Sequence, residues 1–267
     1  MPLRTVPSLD LRLAWGTNGR QVPVAATGWR RISSWILWQY DQPVQIVNAD
    51  DTHILPAGHA FLLPPWVRHR QFFQGETRFR GIRFDCTCFG GRDLADHLSL
   101  PWHLPAPAAD AMIERAMALL AAGQAMDADP DLSKLARYQQ AALGLFRMLL
   151  RHGDVRESSD ADTRRFQAVI QAMQEALPRA LDRHELAVRA GCSPSHFGAW
   201  FRQQTGVSPA RYQRRLRMRH ACKLLEEGEE LAAIARQLGY SDPFHFSRAF
   251  KNVIGLSPSA YRQHYQS

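Results

Sequence analysis

Between Leu11 and about Phe89 the apolar residues fall in short runs or alternate with polar ones, and Gly, Pro, Asn and Asp interrupt them every few positions. The runs Trp35–Tyr40, Phe61–Leu63 and Phe79–Phe84 predict strands. Many short strands with no helical period between them predict an antiparallel barrel or sandwich. From Ala106 the period becomes helical. Ala108, Met112, Ile113, Ala116, Leu119 and Leu120 predict one helix over 107–123, and Leu135, Tyr138, Ala142, Leu145, Met148 and Leu149 a second over 131–151. Both stripes need a cover, which either the barrel or the same stripe of a second subunit would provide. Residues 152–163 are polar and nearly devoid of large apolar side chains, the pattern of a flexible linker.

Beyond the linker the chain repeats itself. Ala187, Gly191 and Ser193 return 48 positions later as Ala235, Gly239 and Ser241; after a one-residue insertion, Phe197, Phe201, Gly206, Ser208, Pro209 and Tyr212 return as Phe246, Phe250, Gly255, Ser257, Pro258 and Tyr261. Each copy has the same grammar. A short helix ends at a glycine suited to a left-handed turn, and the serine that follows caps a second helix through its backbone N–H groups. Two phenylalanines four apart turn that second helix's apolar face to a core. It stops at the next glycine, and Ser-Pro opens another helix. The pattern Asp182-Arg183-His184-Glu185 reads as a capping box at the start of the first copy. Two helix-turn-helix units are therefore expected, joined by a helix from Ser208 to about Glu226, 19 residues or roughly 28 Å long. A rod of that length would hold two reading helices near the ~34 Å at which the same face of B-DNA recurs.

Charge falls unevenly on these segments. The chain has 267 residues, enough for more than one domain, and its 45% hydrophobic and 22% charged content is that of a globular protein rather than a disordered or fibrous one. Residues 1–162 hold 17 Lys and Arg against 17 Asp and Glu, whereas 163–267 hold 16 against 8, so the whole net charge of +8 lies on the repeat. A basic block of this kind is a footprint for nucleic acid. The four cysteines, Cys86, Cys88, Cys192 and Cys222, form no CxxC pair and read as thiols of a reduced compartment. With no signal-peptide pattern at the start and no apolar run of about 18 residues, a cytoplasmic protein without membrane contact is expected.

The run from Gly239 through Tyr240-Ser241-Asp242-Pro243-Phe244-His245-Phe246 to Gly255-Leu256-Ser257-Pro258-Ser259-Ala260-Tyr261-Arg262, with its upstream copy, resembles the double helix-turn-helix domain of the AraC/XylS family of bacterial transcription regulators over about 165–263. The resemblance implies promoter DNA and RNA polymerase as partners, and an N-terminal sensor that is often a cupin-like barrel followed by dimerisation helices. In the second copy the outward positions are Pro243, Phe244, Ser247, Arg248 and Lys251. Arg248 suits bidentate recognition of a guanine edge, worth ~1–3 kcal/mol of discrimination, and Phe244 suits a thymine methyl or a packing role. In the first copy Ser195, His196, Gly198, Ala199 and Arg202 face out; with Gly198 and Ala199 where the family often has a long polar side chain, base readout is expected to be weaker there. Arg211, Arg214, Arg215, Arg217 and Arg219 on the exposed side of the connecting helix suit phosphate contacts.

Six of the seven tryptophans precede residue 103. They are core aromatics or, in part, a stacking wall for a sugar-like or aromatic effector, with Trp35, Trp38 and Trp66 as the wall and Arg68, His69, Arg70 or Gln71 as polar contacts. The segment Gly58–His69 resembles the second cupin motif, with Trp66 in place of the usual glycine, while the first cupin motif and its metal ligands are not visible. His69 alone cannot hold a metal, and His53, His59, Cys86 and Cys88 have no recognised ligand spacing, so neither metal nor other cofactor is expected. No paired carboxylates or nucleophile motif point to an enzyme.

The expected fold is α+β in two domains: an antiparallel cupin-like β-barrel sensor over 1–105, helices over 106–151 that pack on the barrel or form a homodimer, a linker over 152–163, and an all-α DNA-binding domain with two helix-turn-helix motifs over 164–267. The expected function is that of a sequence-specific, effector-responsive transcription activator. The alternatives are a metal-dependent cupin enzyme fused to a DNA-binding domain, and an N-terminal protein-interaction module that binds no small ligand.

Overall fold

A computed structural model describes residues 9–22, 26–48, 51–88, 91–156 and 160–266. In chain order they form β1 (Leu9–Val22), β2 (Trp35–Tyr40), β3 (Val44–Asn48), β4 (Thr52–Leu55), β5 (Ala60–Leu63), β6 (His69–Phe73), β7 (Thr77–Cys88), β8 (Arg92–Asp93), a single 3-10 turn (Leu94–Asp96), β9 (Leu98–Ser99) and β10 (His103–Leu104). There follow α1 (Ala106–Ala128), α2 (Leu132–His152), β11 (Asp154–Val155), α3 (Asp160–Glu175), α4 (Arg183–Arg189), α5 (Pro194–Thr205), α6 (Pro209–Glu226), α7 (Leu231–Gln237), α8 (Pro243–Ile254) and α9 (Pro258–Gln266). Two compact units result. Asp10–Cys86 with His97–Arg156 make a strand-rich unit, and Thr87–Asp96 joins the chain beyond 156 in a helical unit.

In the strand-rich unit one antiparallel sheet runs in the order β1-β7-β2-β5-β10 and a second in the order β4-β3-β6. Ile36, Trp38 and Tyr40 from β2 share one core with Val44, Ile46, Leu55, Phe61, Leu63, Phe73 and Phe79 from both sheets. The cupin-like core is thus enclosed by two facing sheets rather than by a closed ring of strands. The other face of β2 carries α1: Gln39 Nε2 donates to Asp110 at 2.8 Å and to the Gly58 carbonyl at 2.6 Å. The expected strands are found as β2, β5 and the middle of β7, and the expected helices as α1 and α2. Helix α1 runs on to Ala128 because Gly123 keeps its buried face going while Gln124 and Asp127 face out. Ala142, Leu145 and Leu149 of α2 are buried, and α2 packs along α1, so this part of the stripe read from the sequence is covered within the chain, while Leu135 is exposed. Asp131 caps α2 by accepting from the Lys134 N–H at 2.8 Å. Within 152–163, β11 pairs antiparallel with β9 and α3 begins at Asp160.

The helical unit has a core for each copy of the repeat. Phe166, Val169, Ile170 and Met173 of α3 pack with Leu186, Phe197, Trp200, Phe201, Tyr212 and Leu216. Ile234, Leu238, Phe246, Phe250, Ile254 and Tyr261, all at or below 1% exposure, fill the second copy.

Candidate nucleic-acid interface

The first unit, α4-turn-α5, begins with the expected capping box. The Asp182 carboxylate accepts from the Glu185 N–H at 2.9 Å, and the Glu185 carboxylate accepts from the Asp182 N–H at 2.8 Å. The turn passes through Gly191 at φ +62° and the second unit, α7-turn-α8, through Gly239 at φ +73°. Ser193 caps α5, accepting from the His196 N–H at 3.4 Å. In the second copy the cap is Asp242, not Ser241. Its carboxylate accepts from the His245 N–H at 2.7 Å, and Ser241 Oγ donates to that same side chain. The inserted residue moves the cap one place along and puts Pro243 at the first helical position, where its missing N–H costs nothing.

All four phenylalanines, Phe197, Phe201, Phe246 and Phe250, are fully buried, which turns the intervening positions outward. On α5, Ser195, His196, Ala199 and Arg202 are exposed and Gly198 is half-buried. On α8, Phe244 is 81% exposed, Arg248 and Lys251 are exposed, and Pro243 and Ser247 are half-buried. The Ser247 hydroxyl donates back to the Pro243 carbonyl at 2.8 Å, so its proton is engaged within the helix. Each helix therefore presents one polar and basic strip with nothing of its own unit over it.

The connecting helix α6, 18 residues and about 27 Å long, differs from the sequence expectation in its arginines. Arg211 and Arg214 are exposed, but Arg215, Arg217 and Arg219 are half-buried. Arg217 Nε donates to the Leu177 carbonyl at 2.9 Å, closing the end of α3 onto α6. Gln213 does the same from both ends of its amide, accepting from the Leu181 N–H at 2.8 Å and donating to the Leu181 carbonyl at 2.9 Å. Arg219 pairs with Asp93 at 2.5 Å. Burial, followed by the charge of Arg211, pulls the Arg215 guanidinium down to about 10. Five arginines at helical spacing wrap more than one face, and packing against α3 decides which of them stay in solvent.

The effector candidates of the strand-rich unit do not converge. Trp35 and Trp38 are three apart on one strand and point to opposite faces: Trp38 meets Phe79 edge-on in the core, and Trp35 stacks on Phe84 across the pair Trp35↔Phe84. Arg68 is exposed over the Trp29 ring, 4.6 Å from its centre, while its neighbour His69 is fully buried. Trp66, where the cupin motif has glycine, is buried and holds φ +73°, the backbone setting a glycine would adopt freely. Trp38 and His69 are buried inside the strand-rich unit, with Gln71, a polar candidate of the sequence reading, and with Arg30 and Tyr40, which that reading missed. Arg30 Nη2 donates to Gln71 Oε1 at 3.4 Å. His69 Nδ1 lies 3.1 Å from the Val67 carbonyl, to which it donates, and this leaves Nε2 as a bare acceptor with no partner among the described residues; Gln71 Nε2 is likewise unmatched. Burial, with Arg30 second, pulls His69 down to about 4 and keeps it neutral. Among the described residues no three His, Cys, Asp or Glu side chains are grouped to hold a metal, and no helix is long and apolar enough to cross a membrane.

Residues 186–264 match a family model described as a helix-turn-helix domain. Over 97 residues, 36% of this chain, the sequence is 38% identical to the HTH-type transcriptional regulator GlxA of Rhizobium meliloti; over 92 residues, 34% of this chain, it is 38% identical to the MmsAB operon regulatory protein of Pseudomonas aeruginosa. Over 81 residues, 30% of the chain and 27% of the relative, it is 41% identical to a protein of Streptomyces antibioticus described as AraC-like. The C-terminal part of this chain is an AraC-type helix-turn-helix domain. The match spans 30% of the length of GlxA and of the MmsAB regulator. The fold as a whole is similar to that of ToxT from Vibrio cholerae O395, at a TM-score of 0.60 and 12% identity over 99% of this chain and 100% of that one. A second ToxT structure, with an unsaturated fatty acid bound, matches at a TM-score of 0.59 and 12% identity over 97% and 95%. ToxT shares the fold of a strand-rich part followed by a helical part.

Proposed function

We propose that the chain is a sequence-specific DNA-binding transcription regulator, an activator that engages RNA polymerase at promoters, with a strand-rich unit that takes a small organic effector. The observation that carries this reading is the pair of capped helices, α5 and α8, each with two phenylalanines buried and a polar, basic strip left uncovered. Arg248 and Lys251 of α8 meet base edges and phosphates, with Phe244 against a thymine methyl. Ser195, His196, Ala199 and Arg202 of α5 make the weaker second contact. Arg211 and Arg214 supply the phosphate contacts of α6, and Arg217, tied to the Leu177 carbonyl, serves the fold instead.

The effector reading rests on the core-side group of the strand-rich unit. His69 Nε2 is a buried acceptor and Gln71 Nε2 a buried donor without a hydrogen bond, which supports an effector that carries a hydroxyl, as a sugar or a phenol does. One ToxT structure carries an unsaturated fatty acid, which supports a small organic effector for this chain. The contact to DNA is tested by competition binding of Arg248→Ala and His196→Ala on duplexes carrying single base changes. Arg248→Ala is expected to relax base preference at its position by about 1–3 kcal/mol and His196→Ala by less; the reverse order would remove α8 as the principal reader.

A further inference from the structure

We infer that the outer face of the sheet β4-β3-β6, with Trp29, Arg68 and Arg70 at its centre, docks a segment of a partner protein that carries carboxylate side chains among apolar ones. Strand alternation makes the face. On β6 the side chains of His69, Gln71 and Phe73 are buried, while Arg70 and Phe72 between them are half-buried on the opposite side. Register carries that side across the sheet: Phe72 pairs with Gln45 and Gln45 with the exposed Ile54, and Arg70 pairs with Val47 and Val47 with Thr52. Residues 26–30 run along β6. The Thr27 N–H donates to the Gln71 carbonyl at 2.8 Å, and Arg30 and His69 each donate an N–H to the other's carbonyl at 3.0 Å, which sets Trp29 beside the strand.

Arginine and aromatic rings meet on this face. The Arg68 guanidinium lies 4.6 Å and that of Arg70 4.9 Å from the centre of the Trp29 ring, and Arg70 lies 4.7 Å from the centre of Phe72. Stacking engages the flat side of a guanidinium and leaves its N–H groups free in the plane. Among the described residues neither arginine pairs with a carboxylate, whereas in the same unit Arg12 pairs with Asp10 at 2.7 Å and Arg80 with Glu114 at 3.2 Å. Arg70 Nε is moreover buried and makes no hydrogen bond among those residues. Two like charges around one indole, with a desolvated donor left over, are costly by themselves, and a carboxylate that accepts from the planar forks offsets that cost. The rings already hold the forks in place, so little rotamer freedom is lost when the anion arrives.

The openness of the face decides the kind of ligand. A small acid binds well in a concave site that buries most of its surface. Here Ile54, Val47 and Phe72 instead lay an open apolar strip beside the two charges, and arginine and aromatic side chains are the residues that anchor protein interfaces. An acidic residue next to leucine-like side chains meets both parts. His69 and Gln71, which carry the effector reading, point to the other side of β6, so the two sites are separable.

The test is fluorine NMR of the full chain carrying fluorinated tryptophan, with the Trp29 signal assigned through Trp29→Phe. Reading Trp29 keeps any binding of the probe to the basic helices out of the measurement. The blocked peptide Glu-Leu-Leu-Glu is expected to shift this signal saturably, and Gln-Leu-Leu-Gln to bind about tenfold more weakly or worse. In Arg68→Gln/Arg70→Gln the acidic peptide is expected to lose that advantage. No saturable shift, or equal binding of the two peptides, would overturn the inference. So would succinate acting at the same concentration as the acidic peptide, which would make the face a site for small acids. Should the double variant not fold, Arg70→Lys, which keeps the charge and loses the fork, is expected to weaken the acidic peptide and leave the neutral one unchanged; equal weakening counts against the docking surface. No readout involves DNA or an effector, so the outcome is independent of the proposed function.

Discussion

Asp96 concentrates the chemistry of the helical unit in one side chain. It faces Asp93, Arg92, Tyr212 and Arg219; burial first and the charge of Asp93 second push its carboxyl up to about 7. A carboxyl whose pKa rises on folding contributes stability while it stays protonated. That contribution is whole below about pH 4, the unfolded value, and is gone once the pH has risen through about 7. The melting midpoint of the helical unit is therefore expected to fall between pH 5 and pH 8, and Asp96→Asn, permanently neutral, to flatten that slope; thermal melts across this range check it. At this scale the sequence was informative where a residue acts through its own helix. The outward positions Ser195, His196, Arg248 and Lys251 follow from the spacing of the buried phenylalanines. It was silent on Asp93, Asp96 and Arg92, whose partners lie on α3 and α6, 74 residues or more along the chain. The joint effector wall of Trp35 and Trp38 failed for a reason the sequence did contain, since three residues along a strand means opposite faces.

At the scale of elements, the two copies are alike in plan and unlike in what their turns touch. Gly191 at φ +62° has open space where a Cβ would stand, whereas a Cβ at Gly239, φ +73°, would collide with the Pro178 carbonyl oxygen. Gly191→Ala is expected to cost about 1–2 kcal/mol, the penalty of a left-handed alanine. Gly239→Ala carries that penalty plus the displacement of the α3–α4 loop and is expected to cost clearly more. Denaturant unfolding of the two variants side by side checks the order, and equal losses would show that the Pro178 contact yields. The helices, their capping residues and their glycine stops were legible because each depends on neighbours within a few positions. The cap of α8 was misplaced by one residue because the insertion that separates the two copies falls between Ser241 and Phe246.

For the molecule as a whole, α2 leaves a second apolar stripe uncovered. Leu132, Ala136, Leu143, Phe146 and Leu150 fall at heptad spacings interrupted by the polar Gln139; Leu132 is 85% and Leu143 50% exposed, and Phe146 is half-buried. Leu143→Glu with Leu150→Glu is expected to convert a dimer to a monomer in sedimentation without changing the strand signal, because neither residue enters the core; a wild-type monomer would remove this face as a subunit contact. What the sequence determined by itself was periodicity: strands, helices, a duplicated helix-turn-helix and the half of the chain that carries the positive charge, all set by nearest neighbours and by which face of an element is apolar. Only the tertiary structure decided which arginines of α6 remain in solvent, which tryptophan faces the core, and that ten residues from among the strands complete the helical unit. Those outcomes depend on hydrogen bonds and ion pairs between positions far apart in the chain, and such pairs leave no repeating mark along it.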